Sequence, residues 1–133
     1  EDSDQFLILR FDGQLFFGNK DYFREQLTKQ ILKKGSSLKY IILNAEAINY
    51  IDSSAVFMLH SLIADLRKEG IRFVVAGAIG PTRDIFHHSK LIDDIGPENF
   101  FADTYQAFTQ CKAEGSRSEM EAKIATQAAG RFM

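Results

Sequence analysis

The sequence has a single cysteine, Cys111, so it cannot form an internal disulfide bond. A chain without disulfides suits a reducing compartment, and one cysteine with three histidines gives no zinc-ligand spacing. The formal net charge is only -2, which provides no strong attraction to nucleic acid or to anionic lipid. We therefore expect no metal, no other cofactor and no nucleic-acid partner.

Long hydrophobic runs are also missing. No apolar segment approaches the roughly 18–20 residues that a membrane-spanning helix needs. No basic region followed by an apolar core opens the chain, as it would in a signal peptide. The first residue is Glu1 rather than methionine, so we expect a fragment of a longer protein, although removal of a tag gives the same start.

The composition is that of one soluble domain. Hydrophobic residues make up 45% of the 133 residues and charged residues 26%. Both values are ordinary for a globular domain, and this length can bury a core without disulfides or metals.

The opening residues predict two strands and a helix. "FLILRF" has the length and bulk of a strand, Asp12–Gly13 is a turn signal typical of a β-hairpin, and "QLFF" follows as a second strand. Residues 20–34 predict a helix because large apolar residues recur every four positions, at Phe23, Leu27 and Ile31.

Strands and helices then alternate. "YIILN" and "IRFVVAG" are continuous apolar runs, which are typical of buried strands. Between them, residues 54–69 predict the clearest amphipathic helix, with Val56, Leu59, Ile63 and Leu66 on one face. Three shorter elements follow: a helix from Pro81, a strand at Phe100–Phe101 and a last helix through Phe108.

The order of these elements predicts an α/β fold. Strands that alternate with helices form parallel sheets through right-handed crossovers, and the N-terminal hairpin adds an antiparallel strand. We expect one domain over residues 1–112, with a mixed, mostly parallel sheet and about four helices mainly on one face. Residues 113–133 are polar and alanine-rich, so we expect a tail that is partly helical or disordered.

The junction within "INYIDSSAVFML", residues 48–59, is the first candidate functional site. Asp52, Ser53 and Ser54 separate two apolar runs, and such residues favour the N-terminus of a helix. Free backbone N–H groups there favour an anion, whether a carboxylate, a phosphate or a bound ion. The residues alone support two readings, a plain helix cap or a site of phosphorylation and recognition.

The glycines of "AGAIGP" form a second candidate. Gly77 and Gly80 precede a helix, and with Thr82 they are candidates for contact with a nucleotide or another anion. Their spacing matches neither the dinucleotide-binding fingerprint nor the phosphate-binding loop, and no lysine follows.

No catalytic constellation is visible. His87 and His88 point about 100° apart on a helix, so they cannot bind one metal together, and His60 lies far away in sequence. Ser53 has no histidine near it in sequence to activate it as a nucleophile. We expect surface or half-buried histidines, a solvated loop pair at Asp93–Asp94, and no enzyme activity.

Together these patterns resemble the STAS domain. Its element order, with "IDSSA" after the third strand, is shared by anti-sigma factor antagonists and by the cytoplasmic C-terminal end of SulP-type anion transporters. Three stretches resemble the transporter branch: "RFDGQLFFGNKDYFREQL", "GIRFVVAGAIGPTRDIFHHSKLID" and "IGPENFFADTYQAF". The resemblance covers roughly residues 5–110, and Ala55 stands where the family's Asp-Ser-Ser/Thr-Gly junction has glycine.

The resemblance implies a soluble, non-catalytic regulatory domain on the cytoplasmic face of the plasma membrane. Its partners would be the transmembrane domain of a parent transporter for sulfate or a similar anion, other regulatory proteins or a kinase, and a second copy through the parent. The serine that is phosphorylated in the antagonists corresponds to Ser53. Two alternatives stay open: a free-standing antagonist switched through Ser53, and a nucleotide-binding sensor.

Overall fold

Strands and helices alternate along residues 2–131, which are the residues that the computed structural model describes. The strands in this part are β1 (Phe6–Arg10), β2 (Gly13–Leu15), β3 (Tyr40–Asn44), β4 (Ile48–Ile51), β5 (Arg72–Ala76) and β6 (Phe100–Phe101). The helices are α1 (Lys20–Lys34), α2 (Ser53–Lys68), α3 (Gly80–His88), α4 (Leu91–Ile95) and α5 (Thr104–Arg131). The predicted α/β class with a mostly parallel sheet is confirmed. The sequence "AEAINYID" before the junction reads as a linker, but the structure places β4 in it.

The strands form two parallel sheets. Four strands pair in the order β1-β3-β5-β6, and β2 pairs with β4 in a separate two-stranded sheet. All four pairings between these strands are parallel. Since parallel strands place their carboxyl ends at the same edge, the loops that follow β3 and β5 lie close together, and Ala45 N donates to Ala76 O.

The predicted hairpin between β1 and β2 is wrong. The chain bends at Asp12–Gly13, and Gly13 has a φ of 94°, but the two strands pair with different partners. The N–H of Gly13 donates to the carbonyl of Ala47, which takes the chain from its place beside β3 to a new place beside β4. The bend at Asp12–Gly13 therefore moves the chain sideways to a new partner strand and does not reverse its direction.

Two hydrophobic cores cover the two faces of the four-stranded sheet. Along β3, Ile41 and Leu43 belong to the first core and Ile42 to the second, as the alternation of a strand requires. The first core is the larger one and includes side chains from α1, α2, α3 and α4. The second core contains Ala107 and Cys111 of α5. Four helices thus cover one face of the sheet and one helix the other, which agrees with the expectation of helices mainly on one face, although α4 was not among the expected helices.

The last helix is longer than expected and is attached beyond the predicted boundary at residue 112. It continues without interruption from Thr104 to Arg131. Glu114 accepts a hydrogen bond from Arg72 of β5 over 2.5 Å, and a Cβ on Gly115 would lie 2.7 Å from the Tyr40 hydroxyl oxygen. The first turn of the predicted tail therefore packs against the sheet. In residues 2–131, no helix combines the length and the hydrophobicity that crossing a membrane requires.

Candidate functional site at the start of helix α2

The carboxylate of Asp52 caps helix α2. Asp52 has extended backbone angles, and its Oδ1 accepts hydrogen bonds from the Ala55 N–H and from the Ser54 hydroxyl, each over 2.8 Å. This is the N-cap arrangement that satisfies a free donor of the first helical turn. Asp52 and Ser54 thus form one hydrogen-bonded unit, which leaves the exposed Ser53 outside it.

The same carboxylate also holds the loop between β2 and α1. The N–H of Phe17 donates to Asp52 Oδ2 over 2.9 Å, and the Asp52 N–H donates to the carbonyl of Leu15. Asn19 closes this loop, since its side chain accepts from the Phe16 N–H and donates to the Gln14 carbonyl. The surface around Ser53 is therefore built from two segments, the start of α2 and the loop that contains Phe17.

The hydrogen bonds to Asp52 favour its ionised form. They hold the pKa of this carboxyl below its usual range, and the Ala55 N–H makes the largest contribution, followed by the Phe17 N–H and the Ser54 hydroxyl. Partial burial opposes the shift and does not reverse it. A group with a lowered pKa in the folded state stabilises the fold above its unfolded pKa, and this stabilisation is lost as the pH falls through the folded value.

We expect Asp52→Ala to destabilise the domain by about 0.5–2 kcal/mol at pH 7, the usual effect of removing an N-cap. Asp52→Asn keeps one acceptor for the α2 cap and loses the second, so its effect should be smaller. Urea unfolding of all three proteins at pH 7 and at pH 3 measures both effects. The difference between the parent and Asp52→Asn should shrink as the pH falls below the unfolded value of about 3.9, because the unfolded chain then binds a proton that the folded carboxylate still resists. Identical midpoints for the parent and Asp52→Ala at pH 7 would show that this carboxylate does not hold the junction together.

Ala55, which stands where the junction that this sequence resembles has glycine, points into the protein. Its side chain is buried in the first core rather than on the surface around Ser53. The methyl group therefore adds no bulk beside the exposed serine, and a partner that approaches Ser53 does not meet it.

The second candidate site consists of Gly77, Gly80 and Thr82, in the turn after β5 and at the start of α3. Thr82 is buried, and its hydroxyl donates to the carbonyl of Ile48 over 2.5 Å, so it ties α3 to β4. Gly77 has a φ of 78° and packs against Glu46, where a Cβ would lie 3.1 Å from the Glu46 Cβ. Gly80 also has a positive φ and opens α3. These residues have structural roles in the β5–α3 turn, and the engaged hydroxyl of Thr82 does not support nucleotide contact.

One pair of side chains that the sequence does not connect is brought together by the fold. His60 of α2 contacts the Asp94 carboxylate of α4 through Nδ1, and its Nε2 lies 3.2 Å from the Ser89 carbonyl oxygen. Arg67 donates to the Asp94 backbone carbonyl. The expectation of a solvated loop pair at Asp93–Asp94 is therefore wrong for Asp94, which joins α4 to α2, while His87 and His88 lie exposed on α3 as expected.

The aromatic side chains near Ser53 were not predicted as part of a site. The phenylalanines from Phe6 to Phe17 read as core and hairpin residues, but Phe17 is 74% exposed. Phe57, one helical turn after Ser53, is 77% exposed. A signal for Phe57 was present in the sequence, because it falls outside the apolar face formed by Val56, Leu59 and Ile63.

The chain matches a known protein family over most of its length. The family model for the STAS domain matches residues 1–107. Sulfate transporter 1.1 of Arabidopsis thaliana is 24% identical over 116 residues, which cover 81% of this chain and 18% of the transporter. The chain thus spans less than a fifth of the length of this curated relative.

Solved structures share the fold at low sequence identity. The murine anion transporter Slc26a9 in its inward-facing state aligns with a TM-score of 0.74 and 18% identity, covering 82% of this chain and 18% of that one. The Bacillus anti-sigma factor antagonist SpoIIAA in its unphosphorylated form aligns with a TM-score of 0.66 and 20% identity, covering 83% and 90% of the two chains. One fold therefore occurs both as a small part of a transporter and as nearly the whole of an antagonist.

Proposed function

The chain belongs to the STAS domain family, and from that premise we propose that it is the non-catalytic regulatory domain of a SulP-type transporter for sulfate or a similar inorganic anion. In this role it lies on the cytoplasmic side of the membrane and contacts the transmembrane domain of the same polypeptide. Ion transport belongs to that transmembrane part, and this domain controls or assembles it.

The observation that carries this proposal is the kind of relative that the chain matches. The similarity to sulfate transporter 1.1 extends over most of this chain but over only 18% of the transporter. A second plant relative, sulfate transporter 3.1, is 29% identical over 114 residues, with 17% of its length covered. A domain that forms a small part of a long transporter acts through contact with the remainder, so we look for its function at its surface.

We propose the start of α2 as the regulatory surface. Ser53 is exposed beside a helix N-terminus, where free N–H groups favour negative charge, and the neighbouring Asp52 carboxylate is already occupied by three donors. A phosphate on Ser53 would add about -1.5 to -2 charges there. A kinase is the corresponding partner.

A second candidate function is supported by the fold of SpoIIAA together with the Asp52–Ser53 junction. In that reading the chain is a free-standing antagonist that releases a partner when Ser53 is phosphorylated. The full gene distinguishes the two readings. Membrane-spanning segments encoded before Glu1 support the transporter reading, whereas a start codon a few residues upstream supports the antagonist.

We expect Ser53→Asp to leave the stability of the domain nearly unchanged, since the helix N-terminus accepts a carboxylate. Ser53→Lys should destabilise it by about 0.3–1 kcal/mol, because a cation opposes the helix dipole. In the full-length parent, sulfate uptake into vesicles should change with Ser53→Asp. Ala64→Asp is a matched control, since it places the same charge at an exposed position further along α2.

Two results would count against the regulatory surface. Unfolding by Ser53→Asp would mean that this serine is a structural residue. Unchanged uptake in a stable Ser53→Asp parent, equal to that of Ala64→Asp, would mean that Ser53 is a solvated residue without a regulatory role.

A further inference from the structure

A small polar cleft lies where the first residues of the main sheet meet helix α5. The residues that begin β1, β3 and β5 pair with one another in one row. Between this row and α5 the structure has a cavity of about 260 Å³, lined by Gln5, Lys39 and Tyr40 on the sheet side and by Gly115 and Glu119 of α5. Because the strands are parallel, this cleft lies at the edge of the sheet opposite the loops that follow β3 and β5.

The hydroxyl group of Tyr40 has no partner from the protein. The Tyr40 ring stacks on Phe6 with the ring centroids 4.6 Å apart, and a Cβ on Gly115 would lie 2.7 Å from the hydroxyl oxygen. In the part of the chain that the structure describes, no group is hydrogen-bonded to this hydroxyl. Burial raises the pKa of Tyr40, so the hydroxyl stays a protonated donor at neutral pH. Half-buried tyrosine hydroxyls usually have a partner, so this one is available to a bound molecule.

Two side chains of opposite charge flank the cleft without pairing. Lys39 lies on the sheet side and Glu119 on α5, and neither side chain makes an ion pair or a hydrogen bond with any described residue. The other two charges of the lining, Arg72 and Glu114, lie 2.5 Å apart and neutralise each other. Within residues 2–131, the lining therefore offers one unpaired cation and one unpaired anion, and its net charge is zero.

We propose that this cleft binds a small zwitterion of the α-amino-acid type. A carboxylate beside Lys39 and an ammonium group beside Glu119 would give both side chains an opposite charge, and the Tyr40 hydroxyl would donate to the same carboxylate. The Gln5 amide, which has no side-chain partner among the described residues, adds a donor and an acceptor. A simple anion or a simple cation would satisfy only one of the two charged side chains. The volume of the cleft suits a molecule at the small end of the usual range for ligands.

Binding would connect the two parts of the fold that form the cleft. Lys39 immediately precedes β3, whereas Glu119 lies one helical turn beyond Gly115 in the part of α5 that was expected to be a tail. A bound amino acid would contact both, so it would hold this part of α5 against the sheet. The inference goes beyond the proposed function, because it gives the domain a small-molecule site that is distinct from the surface around Ser53.

Three matched small molecules test the proposal. Norvaline carries both charges, pentanoate has the same carbon chain without the ammonium group, and butylamine lacks the carboxylate. In a proton–nitrogen NMR titration of this chain at neutral pH, norvaline should shift the Gly115 amide signal saturably, with the millimolar Kd that so small a molecule can reach. Pentanoate and butylamine should each bind about tenfold more weakly, because each lacks one charge-assisted contact.

Single substitutions assign the two charged contacts. Lys39→Met should weaken norvaline binding about tenfold and leave butylamine binding unchanged, whereas Glu119→Gln should weaken norvaline equally and leave pentanoate unchanged. Tyr40→Phe keeps the stacked ring, removes only the hydroxyl, and should weaken norvaline by a smaller factor. Lys29→Met and Glu121→Gln are matched controls, since both residues are exposed and lie outside the cleft, and both variants should keep the parental Kd. Thermal unfolding of each variant verifies that it is folded.

Four results would overturn the proposal. If norvaline and the smaller amino acids alanine and glycine all fail to shift the Gly115 signal saturably, the cleft binds no amino acid. An equal Kd for norvaline and pentanoate would identify a site for anions, and an equal Kd for norvaline and butylamine a site for cations. Parental norvaline affinity in both Lys39→Met and Glu119→Gln would place the bound molecule elsewhere.

Discussion

Leu59→Asp is expected to leave the isolated domain unfolded at room temperature. Leu59 is 1% exposed and lies in the first core between α2 and the sheet, so the new carboxylate would have no partner there. A buried unpaired charge belongs to the small class of substitutions that destabilise by about 4–5 kcal/mol or more. Such a loss is comparable to the whole stability of many domains, which is about 5–15 kcal/mol. Far-UV circular dichroism during thermal unfolding measures it.

The matched control is Phe57→Asp, two residues away on the same helix. Phe57 lies on the exposed face, so an aspartate there remains in water and the melting temperature of the isolated domain should hardly change. A Leu59→Asp protein that melts like the parent would show that α2 presents a different face to the sheet.

Arg72→Ala should produce the second large loss, about 2 kcal/mol, because it removes two charge-assisted hydrogen bonds at once. Arg72 Nε donates to Asn99 Oδ1 over 2.7 Å, and its Nη1 donates to Glu114. These bonds join β5 to the turn at residues 97–99 and to α5. Without the guanidinium, the buried Asn99 loses a donor and the half-buried Glu114 carboxylate loses its cation. Urea unfolding followed by circular dichroism measures the change.

Arg10→Ala is the control for this variant. Arg10 also has two acidic partners, Asp12 and Glu46, but all three side chains are more than half exposed. Exposed ion pairs contribute about 0–1 kcal/mol, so Arg10→Ala should stay close to the parent. If Arg72→Ala and Arg10→Ala have equal midpoints, the Arg72 contacts do not hold α5 on the sheet.

The effect of Arg72→Ala should depend on pH in a defined direction. The Gln110 amide and then the Arg72 guanidinium hold the pKa of Glu114 below its usual range. The stabilisation from this lowered pKa is present above the unfolded value of about 4.3 and is lost as the pH falls further. The difference between the parent and Arg72→Ala should therefore be largest near neutral pH and smaller at pH 3.

The fold was predictable where apolar periodicity is strong. The α2 stripe of Leu59, Ile63 and Leu66 is buried as its spacing requires, and the continuous apolar run of β3 is buried on both faces. The partner of β1 was not predictable from the Asp12–Gly13 signal, because a turn signal reports local backbone preference and says nothing about distant strands. The length of α5 was missed for a related reason. Its polar half has little apolar pattern of its own, and its attachment depends on Arg72, which is distant in sequence.

The candidate site was also predictable only in part. The cap by Asp52 follows from residue types next to one another and is present. Its bond to the Phe17 N–H joins residues that only the fold brings together, so no local pattern predicts it. The exposed Phe57 was visible as an exception to the α2 stripe, whereas Phe17 ends a phenylalanine-rich stretch that reads as core and hairpin packing.

The parallel pairing of the main sheet has a consequence for how the chain folds. Phe6 pairs with Tyr40, and Tyr40 pairs with Arg72, so a complete helix must form and cross over before each new strand finds its neighbour. Residues 2–131 form no local hairpin that would offer a faster start, and contacts of this kind give a high contact order and slow folding. The face of β3 that carries Ile42 is closed only when α5 arrives with Ala107 and Cys111. During synthesis, that face therefore stays open to water until nearly the whole domain has left the ribosome, and sealing it by α5 completes the fold.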